Sequence, residues 1–140
     1  LPDNESIEAD DRFPSGKWVG FFTDKRVPGK QGMELHLTFR AGAMTGTGRD
    51  RVAEFTVAGA YRTDDGACDF RKVYTGSHSV QYRGFNEGRG IWGTWELQNM
   101  KGGFHIWPEG MPDPTQPALE EEAPMESEAP VEERELLPVG

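Results

Sequence analysis

Lys72, Tyr74, His78 and Tyr82 are spaced so that one face of a strand hairpin could gather an amine, an imidazole and two phenols. Side chains along a strand alternate between its two faces. The runs on either side of Thr75-Gly76-Ser77 keep that period of two. A three-residue turn there pairs Tyr74 with His78, Lys72 with Val80 and Phe70 with Tyr82. It leaves Asp69, Arg71, Thr75, Ser79, Gln81 and Arg83 on the other face, whereas a two-residue turn would mix the sets. The inner face therefore carries Phe70, Lys72, Tyr74, His78, Val80 and Tyr82. A lysine taken out of water needs a counter-charge, and a second hairpin supplies it. With Ala41-Gly42 as a two-residue turn, Phe39 pairs with Met44, Leu37 with Gly46, Leu35 with Gly48 and Met33 with Asp50, which sets Asp50 on the apolar face.

Two readings fit this set. In the first, Lys72, Tyr74, His78 and Tyr82 present donors to a small ligand, anions included, with Asp50 nearby and walls of Phe55, Tyr61 and Trp95. In the second, Asp50 and Lys72 form an internal ion pair completed by the tyrosines and His78, with no ligand. A third use, proton transfer by His78 with Lys72 or Asp50, needs access to the lumen. Other chemistry finds no motif. His36, His78 and His105 lack metal-ligand spacing, so no metal is expected. The glycines of Gly42-Ala43-Met44-Thr45-Gly46-Thr47-Gly48 precede no helix and make no phosphate loop. Asp64-Asp65-Gly66 is a hairpin turn without the alternating oxygen ligands of a calcium loop. Ser15, Ser77 and Ser79 carry no nucleophile motif. The expectation is a non-enzymatic protein with no cofactor.

The elements that must position these residues are strands. Lys17 to Thr23, Met33 to Arg40, Met44 to Arg49, Glu54 to Tyr61, Cys68 to Tyr74, His78 to Arg83, Gly90 to Leu97 and Gly103 to Trp107 are eight alternating runs, with glycine at most reversals, Pro28 in a loop and no useful helical period. Eight antiparallel strands joined by short turns form an up-and-down meander, and closing it into a barrel removes both unpaired edges. The chain divides into an acidic irregular leader, 1–15, with Phe13 able to dock; a barrel domain, 16–108; and a Pro/Glu-rich tail, 109–140. Seven of the ten prolines lie from Pro108 onward, where every aromatic disappears. Such a segment stays unpacked unless a partner holds it.

Charge separates the same parts. The middle holds thirteen Lys and Arg against nine acids, while the tail has ten acids and a single Arg134. An acidic tail argues against nucleic acid and for self-contact or a basic partner. In Ile91-Trp92-Gly93-Thr94-Trp95, the two tryptophans take opposite faces; Trp95 is expected inward and Trp92 outward beneath a cover. The first strand is doubled in the same way, Trp18 and Phe22 on one face and Val19 and Phe21 on the other. Apolar residues on both faces imply a covered outer face. Trp18, Phe22, Trp92, Leu136 and Leu137 are the candidate contacts with a protein partner or a second copy. Cys68 is the one cysteine, which excludes an internal disulfide. No apolar run reaches eighteen residues, so no membrane span is expected. Leu1 points to a segment upstream, a targeting signal among the choices, and leaves the compartment open.

Gly16-Lys17-Trp18, Gly42-Ala43-Met44-Thr45-Gly46-Thr47, Val57-Ala58-Gly59-Ala60-Tyr61-Arg62 and Thr94-Trp95-Glu96-Leu97, in this order, resemble strands of the avidin and streptavidin family across most of residues 16–107. Lipocalin-like barrels use similar short motifs. The resemblance implies an eight-stranded barrel with Trp95 in a ligand pocket. Gly20 and Gly48 stand where that family has its biotin-binding asparagine and tyrosine, so what carries over is the barrel and not the biotin site. The expected function is a binding or assembly module that uses its outer face and tail; the alternative is a carrier of a small molecule in the lumen.

Overall fold

A computed structural model describes residues 7–116. Its eight strands are β1 (Gly16–Asp24), β2 (Val27–Arg40), β3 (Ala43–Asp50), β4 (Glu54–Tyr61), β5 (Ala67–Tyr74), β6 (Ser79–Asn86), β7 (Ile91–Leu97) and β8 (Met100–Pro108). Each is antiparallel to the next, and β8 pairs with β1 to close the barrel. Inward positions hold a single core of Trp18, Leu35, Leu37, Phe39, Met44, Phe55, Val57, Phe70, Tyr82, Ile91, Phe104 and Ile106 among others. Outward positions between them are mostly exposed, as the alternating burial of β2, β4 and β5 records.

Both inferred registers hold. Phe39 pairs with Met44, Leu37 with Gly46, Leu35 with Gly48 and Met33 with Asp50. Phe70 faces Tyr82 and Lys72 faces Val80, and the Tyr74 amide donates to the His78 carbonyl at 3.0 Å. Ala41 (φ 50°) and Gly42 (φ 85°) both adopt the left-handed backbone that a two-residue hairpin turn of the right twist demands. That turn fixes the inward facing of everything up to Asp50.

Some boundaries differ from expectation. β2 starts at Val27, and Pro28 lies inside the strand instead of in a loop. Val27–Gly32 shows no apolar alternation, yet its backbone pairs with the end of β1 across an irregularity at Thr23/Asp24. A barrel wall needs paired backbone there, not buried side chains. Residues 7–15 of the leader, in turn, are part of the fold. Phe13 is 0% exposed and packs against Phe39 and Tyr61, with ring centroids 5.4 and 4.8 Å away. Arg12 donates to the carbonyls of Asn86 and Thr63, and the Asn86 side-chain amide donates back to the Arg12 carbonyl at 2.6 Å. Residues 7–15 thereby plug the barrel end formed by the β2–β3, β4–β5 and β6–β7 turns. Among the described residues no helix is long and apolar enough to cross a membrane.

Candidate functional site

The opposite end carries the charged chemistry. β3 ends there with Asp50, and β5 brings Lys72 and Tyr74 to the same face. The Lys72 ammonium donates to Asp50 Oδ2 at 2.6 Å, and Tyr74 Oη donates to the same oxygen at 2.6 Å. Asp50 Oδ1 accepts from the Val52 amide at 2.8 Å, tying down the β3–β4 loop. Lys72 is 1% exposed. Around its Nζ stand the rings of Phe55, Phe22, Tyr74 and Tyr82, with centroids at 4.6, 4.7, 5.0 and 5.2 Å. The faces of these rings stabilise a desolvated cation. Asp50 and Lys72 are therefore the internal ion pair of the second reading.

Burial and pairing compete at each member of this network. Burial alone would raise the Asp50 carboxyl, but hydrogen bonds from Lys72 and Tyr74 and the Lys72 charge outweigh it and hold the group below its ordinary range. Burial lowers the Lys72 ammonium against the support of Asp50. Burial, with the Asp50 carboxylate beside it, drives the Tyr74 phenol far up, so it stays a donor. Tyr82 is also pushed well up, chiefly by burial.

Above this network the barrel is open. Phe22, Val80, Leu97, Met100, Trp95, Tyr74 and Tyr82 line a mouth cavity of about 260 Å³, with Asp24, Arg26, Val52 and His78 at its edge. Trp95 is held by donation from Nε1 to the Thr23 carbonyl at 2.8 Å. Gly102 allows that pose, because a Cβ at residue 102 would stand 2.5 Å from Trp95 Nε1 and 2.1 Å from the Thr23 oxygen. Asp24 and Arg26 satisfy each other, Arg26 Nε donating to Oδ1 at 2.9 Å. Tyr82 differs. It is 1% exposed, stacked on Phe70 at 5.1 Å, and its hydroxyl has no hydrogen-bond partner among the described residues. Buried hydroxyls are normally paired.

Of the six candidate lumen residues, Asp50, Lys72, Tyr74, Tyr82 and Trp95 come together, and His78 is the exception. It is exposed, precedes the first residue of β6, and rests on Tyr74 at the rim with ring centroids 5.0 Å apart. The strand pair ends at Tyr74, so the residue opposite it already stands above the wall. Tyr61, expected as a wall of the same site, belongs to the plugged end, where it donates to a Glu8 carboxylate oxygen at 2.5 Å. Phe22, Leu97 and Met100 also line the mouth without having been expected there, and Val80, expected on the inner face, joins them. Phe22 had a usable signal: it shares a face with Trp18, which pairs with inward Leu35.

Trp18 and Phe22 are consequently not surface contacts. Both point into the barrel and are buried; Val19 and Phe21 face outward on β1. Trp92 does face outward, and with its cross-strand neighbour Phe85 it is about half exposed, 46% and 48%, with no full cover among the described residues. Leu136 and Leu137 lie outside the described residues. The start of the tail does follow the outer wall: the Glu109 amide donates to the Lys17 carbonyl at 2.9 Å, Lys30 reaches Thr115 at 3.4 Å, and Arg89 donates to the Pro114 carbonyl.

A larger depression, about 420 Å³, lies on the outer wall over Gly48. Its polar groups, Glu34, His36, Thr47, Arg49, Glu54, Thr56 and Thr75, are all solvent-exposed, so it offers no desolvated recognition group. No three His, Cys, Asp or Glu side chains among the described residues converge as metal ligands. Cys68 is buried, which raises its thiol to about 12 and makes it a poor nucleophile. No protein-family model matches the chain, and neither the curated proteins nor the solved structures include a significant match.

Proposed function

We propose that this protein binds a small molecule in the mouth of its barrel. The observation that carries the reading is the difference between the barrel ends: Phe13 fills one, while the other keeps a cavity of about 260 Å³ walled by Phe22, Val80, Trp95, Leu97 and Met100. Concave apolar surface with a few convergent polar groups is the usual form of a ligand site. Trp95, the position that the avidin-type resemblance marks as a pocket residue, is one of these walls. The Lys72–Asp50–Tyr74 network forms the rigid floor and is not a catalytic group in this reading, since each member is already paired.

The test is an NMR titration of the full chain with acetophenone, followed at the methyls of Val80, Leu97 and Met100 and at the Trp95 indole N–H. Saturable shifts confined to these groups are expected, and Val80→Trp, which fills the cavity, abolishes them. Shifts spread over the outer wall, or unchanged in Val80→Trp, refute the reading. A second reading, pairing with another copy of this chain through the outer wall, has the exposed Phe85–Trp92 pair in its favour. It expects concentration-dependent mass in sedimentation equilibrium, lost in Phe85→Ser/Trp92→Ser. A monomer at all concentrations rules it out.

A further inference from the structure

The mouth also constrains the charge of what it takes, and this inference rests on the proposed binding role. The Lys, Asp and Arg side chains that line or floor the cavity are paired with one another, and His78 stands exposed at its edge. Lys72 is paired with Asp50 at 2.6 Å, and its remaining faces are covered by four rings. Asp50 uses its second oxygen on the Val52 amide. At the rim Arg26 and Asp24 meet at 2.5 Å. An anion inside this cavity would find no buried cation free of a carboxylate, and a cation no buried carboxylate free of a cation. Either would lose hydration without a compensating partner, a cost that disfavours charged guests strongly. The inclusion of anions among the ligands that Lys72, Tyr74, His78 and Tyr82 could take loses support, because Asp50 neutralises the lysine and His78 lies at the exposed rim.

One buried group remains unspent. Tyr82 lines the cavity and is 1% exposed, and its hydroxyl has no hydrogen-bond partner among the described residues. Its phenol is held protonated by burial and by the neighbouring Tyr74 and Asp50, so it can only be a donor toward a neutral guest's acceptor or an acceptor toward a guest's donor. Tyr74 shows what a satisfied phenol looks like one strand away. The cavity's size adds a limit: about 260 Å³ is roughly nine waters' worth of liquid at about 30 Å³ each, below the usual range for drug-sized ligands. The flat walls of Trp95 and Phe22, edge to face at 6.3 Å, suit a ring.

We infer that the ligand is an uncharged molecule of one ring or two fused rings, carrying a carbonyl or comparable acceptor that accepts a hydrogen bond from the Tyr82 hydroxyl. A site with a buried donor discriminates against analogues that leave it unpaired.

Four planar probes of nearly one shape separate the terms: acetophenone, α-methylstyrene, which lacks the acceptor, benzoate and benzamidinium. With the full chain, acetophenone is expected to bind about tenfold more tightly than α-methylstyrene, and the two ions more weakly than either. In Tyr82→Phe, which removes a hydroxyl with no partner and so leaves packing intact, the tenfold preference disappears while α-methylstyrene binds at least as well. Benzoate or benzamidinium as the tightest probe overturns the inference while leaving the mouth a binding site. A preference for acetophenone that survives Tyr82→Phe also overturns it. Absence of mouth shifts with all four probes overturns the binding role itself.

Discussion

The two ends of this barrel are built from the same strands and similar aromatic residues, yet they resolve burial differently. At the plugged end the buried polar side chains pair with one another or with backbone: Asn86 and Arg12 trade hydrogen bonds, Tyr61 donates to Glu8, and the Trp18 indole donates to the Pro14 carbonyl at 2.9 Å. Phe13 then fills what space remains. At the mouth the deeper layer is equally closed, through Asp50, Lys72 and Tyr74, but the layer above it keeps an open cavity and an unspent hydroxyl on Tyr82. A segment outside the meander, the leader, makes the difference. The strands alone would leave two mouths, and the chain spends residues 7–15 on closing one.

The sharpest way to break this contrast is at the floor of the mouth. Lys72→Met leaves the Asp50 carboxylate sheltered without its cation and is expected to destabilise the fold by about 3–5 kcal/mol, read as a shift in urea midpoint. Asp50→Asn/Lys72→Met removes both charges and should recover most of that loss, because the desolvation cost of the pair disappears with it. A double variant as unstable as the single would mean that shape, not charge, is what Lys72 supplies. The pair also sets an acid limb. Asp50 is held below its ordinary range when folded, so its contribution is fully present above the unfolded value of about 3.9 and is lost as pH falls through the lower folded value. Asp24 and Asp10, each held near about 2 by arginine, act in the same direction. Stability should therefore fall below about pH 4, and less so in the double variant. On the alkaline side Tyr61 and Cys68, both raised to about 12 chiefly by burial, contribute stability that is present below their unfolded values and lost as pH climbs toward 12.

The plugged end gives a smaller and differently shaped effect. Phe13→Ala removes a fully buried ring from contact with Phe39 and Tyr61. A cost of about 3 kcal/mol is expected, the low end for such truncations because the leader can settle inward. The prediction specific to the comparison is that acetophenone affinity at the mouth, measured where the variant is still folded, stays within about twofold, since well-separated sites usually act independently. Loss of mouth binding in Phe13→Ala would show that the two ends are one coupled core.

The Ala41-Gly42 turn and the Thr75–Ser77 turn were legible in the sequence because hairpin length and alternation together fix register, and register carries Asp50 and Lys72 inward. His78 was not, because alternation says which way a residue faces but not whether the wall continues to that height. On β1 both faces are apolar, so period two alone could not choose between Trp18 and Val19; pairing with the cleaner strand β2 decides it. Pro28 misled because a proline is a poor strand residue, while the need for paired backbone near the closing seam is a property of the whole barrel. The missing partner of Tyr82 has no sequence signature at all, since it depends on what the surrounding strands fail to place beside one oxygen.

The smallest expected change tests the comparison from the side where nothing should bind. Ala41 holds φ 50° next to Gly42 at φ 85°, a conformation that costs an L-alanine about 1 kcal/mol through crowding of its Cβ. Asparagine tolerates this region better, and Asn-Gly is the preferred pair for a turn with both central residues left-handed. Ala41→Asn should therefore stabilise the protein by about 0.5–1 kcal/mol, seen as a higher urea midpoint with an unchanged slope. Because the turn lies at the plugged end, while its register is what carries Asp50 to the other end, the substitution strengthens the placement of the floor without touching the cavity. Acetophenone affinity should stay level as stability rises. Weaker mouth binding in Ala41→Asn would mean that the register of β2 and β3, and with it the height of Asp50, is set by strain in this turn and not by the apolar face.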